Sequence, residues 1–164
     1  LQEKIVSNKI NINFKVEETE KFFIEKINIF GNYISAEVFG ASAVIGTKHH
    51  CAPETGALAK AASGALERQP YIRVRNLADT ILELKKMGFI VLGLDAEVSN
   101  DIASAARLYA DRPIALVLGA EGPGLRSRTK KVVDDLVRIK PMSSFGSLNV
   151  SNAAAIGLYT ITAV

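Results

Sequence analysis

The stretch Ile114-Ala115-Leu116-Val117-Leu118-Gly119-Ala120-Glu121-Gly122-Pro123-Gly124-Leu125 decides the fold. Its first five residues are apolar without a break, the pattern of a parallel strand covered on both faces. Glycines follow at once in a GxxGxG spacing. Glycine at the C-terminal end of a strand lets the backbone turn sharply and lets a ligand come close to its amides. In open α/β sheets that edge is the usual ligand crevice. The spacing is neither the GxGxxG dinucleotide fingerprint nor a phosphate loop ending in Gly-Lys-Ser/Thr. Two readings stay open at this point: a ligand loop, or a turn required only by the chain.

Around this stretch, short apolar runs alternate with helical ones. Upstream, Ser42 to Gly46 reads as a strand, Pro53 to Leu66 as an Ala-rich helix, and Tyr71 to Val74 as a brief strand. Asn76 can cap a helix running to about Met87, with Gly88 as its stop. Phe89 to Leu94 is a second continuous apolar run, and Asp101 to Ala110 a further helix. Downstream, Leu136 to Ile139 reads as a short strand and Asn149 to about Ile161 as a helix of small residues. This alternation predicts an α/β domain with a largely parallel sheet flanked by helices.

The second informative stretch is Ile139-Lys140-Pro141-Met142-Ser143-Ser144-Phe145-Gly146-Ser147-Leu148-Asn149-Val150-Ser151-Asn152-Ala153. A strand ends, a loop follows, and Ser147 or Asn149 is placed to cap the next helix. Ala153, Ala154, Ala155 and Gly157 give that helix a small face. Such a face admits another backbone closely, either from a partner chain or from the same chain.

Together the two stretches resemble the C-terminal motifs of the SpoU/TrmH class of SPOUT RNA ribose 2′-O-methyltransferases. That family has a strand ending LVLGxEGxGL, then a VRIPM-type strand, then SLNVSxAAAI. The matching residues are Leu116 to Leu125, Val137 to Met142 and Ser147 to Ile156, with weaker agreement at Ser63 to Glu67 and Gly88 to Asp95. The resemblance implies a C-terminal deep trefoil knot, a homodimer, and S-adenosylmethionine as methyl donor without a metal. It implies transfer to a ribose 2′-OH of tRNA or rRNA. It places the donor against the loop residues Leu118, Gly119, Glu121, Gly122 and Gly124. Further donor contacts would come from Ile139, Pro141, Met142, Ser147, Leu148 and Asn149. An alcohol is a poor nucleophile until its proton is taken, so a base must reach it. The resemblance gives catalytic roles to Glu121, Ser147 and Asn149, with Ser151 beside them.

The family's first motif runs Asn-x-Gly-x-Ile-x-Arg-(Ser/Thr)-Ala-x-x-Phe-Gly. Ser35 to Gly40 matches its second half, but Ile34 stands where the catalytic arginine belongs. A one-residue gap aligns Phe30-Gly31-Asn32 instead and removes the arginine position. The first arginine of the chain is Arg68. The break falls where the composition changes, because residues 1–30 contain no Ala, Gly, Pro or Arg. Three explanations fit: a binding protein of weak or lost activity, another basic group in place of the arginine, or a divergent join.

The remaining residues set bounds. A length of 164 residues is one domain, here expected over 1–164 with residues 1–30 an atypical segment and no separate RNA-binding domain. With 48% apolar residues the chain is not disordered, and no apolar run is long enough to span a membrane. One cysteine, Cys51, excludes an internal disulfide framework, and no secretory leader is visible, so a cytoplasmic protein is expected. The formal charge of +3 permits nucleic-acid binding without arguing for it. Arg126, Arg128, Lys130 and Lys131 follow the glycine loop, and Arg126, Arg128 and Lys48 are the candidate RNA contacts. The bland alternative is a solvated helix face balanced by Asp134 and Asp135. A nucleotide-binding protein whose glycine loop holds phosphate is the rival from outside the family.

Overall fold

The computed structural model describes residues 22–24, 35–48, 68–120, 123–140 and 148–164. The expected helix at Pro53 to Leu66 lies outside them, as does Cys51. The strands are β1 (Phe22–Ile24), β2 (Ala43–Thr47), β3 (Tyr71–Val74), β4 (Ile90–Leu94), β5 (Ile114–Val117) and β6 (Asp135–Val137). Among the described residues the complete helices are α1 (Leu77–Lys86), α2 (Ile102–Leu108), α3 (Ser127–Val132) and α4 (Val150–Thr162), and residues 35–38 are also helical. One sheet carries all six strands in the order β3-β2-β1-β5-β4-β6. Every neighbouring pair in it is parallel, as the apolar runs predict.

Strands β5 and β4 divide their side chains between two cores. In β5, Ile114 and Leu116 join one buried cluster with the following Leu118, while Ala115 and Val117 join the other. β4 divides in the same way, Leu92 to the first and Val91 to the second. Helices α2 and α4 cover the first face through Ile102, Ala105, Ala106, Val150, Ala154, Leu158 and Ile161. Helix α1 covers the second through Leu77, Ile81 and Leu84, beside Leu125 and Val133 at the two ends of α3. The result is a three-layer α/β arrangement, because strands apolar on both sides need a helix on each.

Local chemistry sets the element ends. The Asn76 side chain accepts from the amides of Ala78 (3.1 Å) and Asp79 (3.4 Å) at the start of α1. That helix stops at Gly88, whose φ of 95° suits glycine. The small face of α4 is used inside the chain. A Cβ on Gly157 would lie 2.8 Å from Leu116 Cδ2, so the helix lies close against β5.

The boundaries shift in three places. β2 starts one residue later than the sequence suggests, and α2 is shorter than Asp101 to Ala110. β6 starts and ends earlier than Leu136 to Ile139, because Asp134 begins the pairing. Its amide donates to Val91 O at 2.8 Å, and its Oδ2 accepts from Val91 N at 2.8 Å. α3 forms on the basic segment that follows the glycine loop, as the helix-face reading has it. Asp134 and Asp135 do not balance its basic residues. Asp134 pairs with Lys85 of α1 at 2.9 Å, and Asp135 accepts from the Tyr109 hydroxyl at 2.6 Å.

Candidate functional site

The strand order has a switch point at its centre. From β1 the chain goes on to β2 and β3 on one side, and from β5 it goes on to β6 at the far edge. β1 and β5 are neighbours, with Ile24 opposite Val117, so the chain leaves both strands at one level. A crevice at the carboxyl ends of the strands is expected there. The glycine loop starts at this place.

The loop is closed by its own backbone. Ala120 N donates to Gly124 O (3.1 Å), and Gly124 N donates to Ala120 O (2.9 Å). Gly124 has φ +64°, the left-handed region. A Cβ on Gly119 would lie 2.6 Å from Leu125 N and 2.7 Å from Gly124 Cα. Gly119 is therefore required by the chain's own return over it, before any ligand is considered. Beyond the loop, Leu125 is buried against β4, where a Cβ on Gly93 would lie 2.9 Å from Leu125 Cδ1.

The residues named from the sequence fall as follows. Leu118 is buried, and Gly119 and Gly124 are half-buried on the loop. Leu94 stands opposite Val137, so Ile139 leaves β6 at the same edge of the sheet, half-buried against the first core. Leu148 is half-exposed, and Asn149 caps α4, its Oδ1 accepting from Ser151 N at 2.9 Å. Val150, in the first turn of α4, shares one buried cluster with Leu118 and Val137. Glu121, Gly122, Pro141, Met142 and Ser147 lie outside the described residues, as does Ile34.

The basic candidates spread along the same edge. Lys48 follows β2 with its side chain exposed, and its carbonyl accepts from Arg73 Nη2 at 3.0 Å. Arg126 and Arg128 are exposed at the start of α3, and Arg128 meets Asp79 of α1 at 2.7 Å. Arg68, by contrast, sits at the other edge. Pro70 O accepts from Val44 N at the start of β2, and Arg68 pairs with Glu37. That arginine lowers the Glu37 carboxyl below its ordinary value. Within one chain, Arg68 therefore lies at the end of the sheet away from the glycine loop.

The sequence reading missed one pair. Lys130 of α3 meets Asp95, the residue after β4, at 2.5 Å. Lys130, then the Glu97 amide, hold the Asp95 carboxyl below the usual carboxylate range. The only sequence signal was Asp95 closing the weakly matching segment that starts at Gly88. Among the described residues no group of three or more His, Cys, Asp or Glu could hold a metal.

Residues 27–159 match the model of the SpoU rRNA Methylase family. The chain belongs to that family. Over 124 residues this SpoU-family chain is 44% identical to the 23S rRNA (guanosine-2′-O-)-methyltransferase RlmB of Ralstonia nicotianae. That alignment takes in 76% of this chain and 49% of the relative. It is 39% identical over 125 residues to RlmB of Vibrio vulnificus, again 76% of this chain and 49% of the relative. The chain thus spans about half the length of the curated relatives it matches. Among solved structures, it resembles the AdoMet-bound rRNA methyltransferase from Sinorhizobium meliloti, with TM-score 0.78 and 25% identity. That likeness covers 88% of this chain and 56% of the other.

Proposed function

We propose that this SpoU-family chain transfers a methyl group from S-adenosylmethionine to a ribose 2′-OH of tRNA or rRNA. The observation that carries this reading is the closed glycine loop at the switch point between β1 and β5, in a chain of this family. The residues present fit such a donor. The loop offers backbone groups without bulky side chains, and Ile139 and Leu148 offer apolar surface for an adenine ring. In this reading Leu118, Gly119, Glu121, Gly122, Gly124, Ile139, Pro141, Met142, Ser147, Leu148 and Asn149 hold the donor.

When bound, the sulfonium supplies an already activated methyl group. The chain's own residues orient the alcohol and move its proton. Asn149 is suited to orienting, because its carboxamide is held by the cap to Ser151. Ser147 adds a hydroxyl beside it, and Glu121 a carboxylate on the loop. Arg126, Arg128 and Lys48 take the RNA phosphates.

The same reading makes the protein a homodimer with a knotted C-terminal part. Helix α4 has no charged residue from Val150 to Thr162, yet Ile156 and Tyr159 (60% exposed) face outward. Tyr159 stacks edge-on with Phe39 at 5.9 Å, next to Val38 (66% exposed). A contiguous apolar surface of this kind fits a second copy of the chain. Light scattering of Tyr159→Glu tests it, with a monomer the expected result.

The activity test is methyl transfer from labelled S-adenosylmethionine to unmodified total tRNA and rRNA, with nucleosides resolved by mass. A 2′-O-methyl nucleoside is expected. The competing reading, a homologue of weakened or lost turnover, rests on Ile34 standing where the family's arginine belongs, whereas the likeness to named 2′-O-methyltransferases supports the enzyme. Donor binding without transfer, with transfer gained in Ile34→Arg, would establish that second reading instead.

A further inference from the structure

One acid, Asp95, joins three segments at the C-terminal edge of the sheet. Gly93 stands opposite Val117 and Leu94 opposite Val137, so Asp95 leaves β4 at the level of Gly119. The Asp95 amide donates to Val137 O at 2.8 Å, which ties it to the end of β6. Its Oδ1 accepts from Glu97 N at 3.0 Å, which folds the loop after β4. Its Oδ2 meets Lys130 Nζ at 2.5 Å, which ties it to α3. The Asp95 side chain is only 9% exposed.

Helix α3 needs such a tie. It has six residues, and Arg126 makes no side-chain cap bond at its start. A helix that short does not hold itself in water, so its place depends on tertiary contacts. The Arg128–Asp79 pair is exposed on both sides and contributes little. Asp95–Lys130 differs, because the Asp95 side chain is far less exposed than either partner of that pair, so losing the lysine leaves a poorly hydrated carboxylate without its counter-charge. α3 starts two residues after Leu125, so its position fixes the far end of the glycine loop.

We propose that Asp95 and Lys130 form a latch that holds the two described ends of the glycine loop, Gly119–Ala120 and Pro123–Leu125, in their donor-binding position. Both are positioning residues. The donor part of this inference rests on the loop being the S-adenosylmethionine site, whereas the mechanical part does not.

The test uses the full chain with Lys130→Met, Lys130→Arg, Asp95→Asn and the double variant Asp95→Asn/Lys130→Met. Two readouts are taken: the S-adenosylmethionine Kd by calorimetry, and hydrogen exchange at the Ala120 and Gly124 amides. In Lys130→Met the donor Kd should rise about tenfold and both amides should exchange faster, while the amides of β5 keep their protection. Lys130→Arg should restore the Kd to within about threefold of the parent, because the charge and the reach return. The double variant should fall between, since no poorly hydrated charge is left alone. Should Lys130→Met fail to fold, the double variant carries the same comparison. Parent-like exchange at Ala120 and Gly124 in the lysine and aspartate variants overturns the latch. Faster exchange in a protein whose parent form binds no S-adenosylmethionine would support the mechanical latch, and would overturn the donor assignment and the proposed function.

Discussion

A single methyl group added at Gly119 tests the loop geometry directly. The Cβ of Gly119→Ala would lie 2.6 Å from Leu125 N and 2.7 Å from Gly124 Cα. Ordinary contacts are about 3.5–4.0 Å, so an atom must move by roughly 1 Å. Both neighbours are backbone, so no rotamer change relieves the clash, and the loop must open. Opening breaks the two hydrogen bonds between Ala120 and Gly124. At about 1 kcal/mol each these amount to about 2 kcal/mol, or roughly thirtyfold in the closed-to-open ratio. Strain in a partly closed loop adds about 1–3 kcal/mol. The control is Gly157→Ala, where the added methyl meets only side chains, Leu116 Cδ2 at 2.8 Å and Ile102 Cδ1 at 3.5 Å. There the helix gains about 1 kcal/mol from losing a glycine, so the net change should stay within about 1 kcal/mol. Hydrogen exchange at Ala120 and Gly124 and calorimetry with S-adenosylmethionine are the assays. Gly119→Ala should expose both amides and weaken donor binding about thirtyfold, while Gly157→Ala changes neither. Parent-like exchange in Gly119→Ala would refute the reasoning.

Three further outcomes are expected. Leu116→Ala removes a fully buried side chain between β5 and α4 and should cost about 2–5 kcal/mol in urea unfolding. Asn149→Ala loses the bond from Ser151 N and should cost about 1 kcal/mol by the same assay, with faster exchange confined to the first turn of α4. The third concerns acid. The Asp95 carboxyl, facing Lys130 and Glu97, is lowered in the folded state, so its contribution is present above the ordinary carboxylate value and lost as pH falls through the lowered one. Stability curves of the parent and Lys130→Met should therefore separate above about pH 4 and converge in acid. A constant gap across the whole range would contradict this.

The middle of the sheet was legible because β4 and β5 are buried on both faces. Ile114 to Leu118 and Phe89 to Leu94 are apolar without a break, and only a covered parallel strand tolerates that. The caps were legible because Asn76 and Asn149 act within three residues of themselves. Strand order was not legible, since nothing local tells β1 that its neighbours are β2 and β5. Charge partners escaped for the same reason. Asp134 and Asp135 are close in sequence to the basic residues of α3, yet their partners Lys85 and Tyr109 arrive from other elements. Lys130 and Asp95 are 35 positions apart and meet only once the parallel sheet has set their level. Of the site, the loop and the α4 cap could be named from sequence. That Gly119 is required by the return of its own loop needed coordinates.

The place of β1 has a kinetic consequence. Among the described residues it is first of the six strands in sequence but third in the sheet, and its second edge is completed by β5. Ile24 and Ile114 are 90 positions apart. At about 5–20 residues per second of synthesis, β1 waits roughly 5–20 s for that partner to be made. During that interval β1, β2 and β3 can assemble only a sheet with an open edge in what will be its middle. Such an edge accepts any extended segment that passes. Protection by a chaperone or by the ribosome surface should therefore matter most while residues 24–114 are emerging, and refolding from denaturant should give its highest yield when dilute.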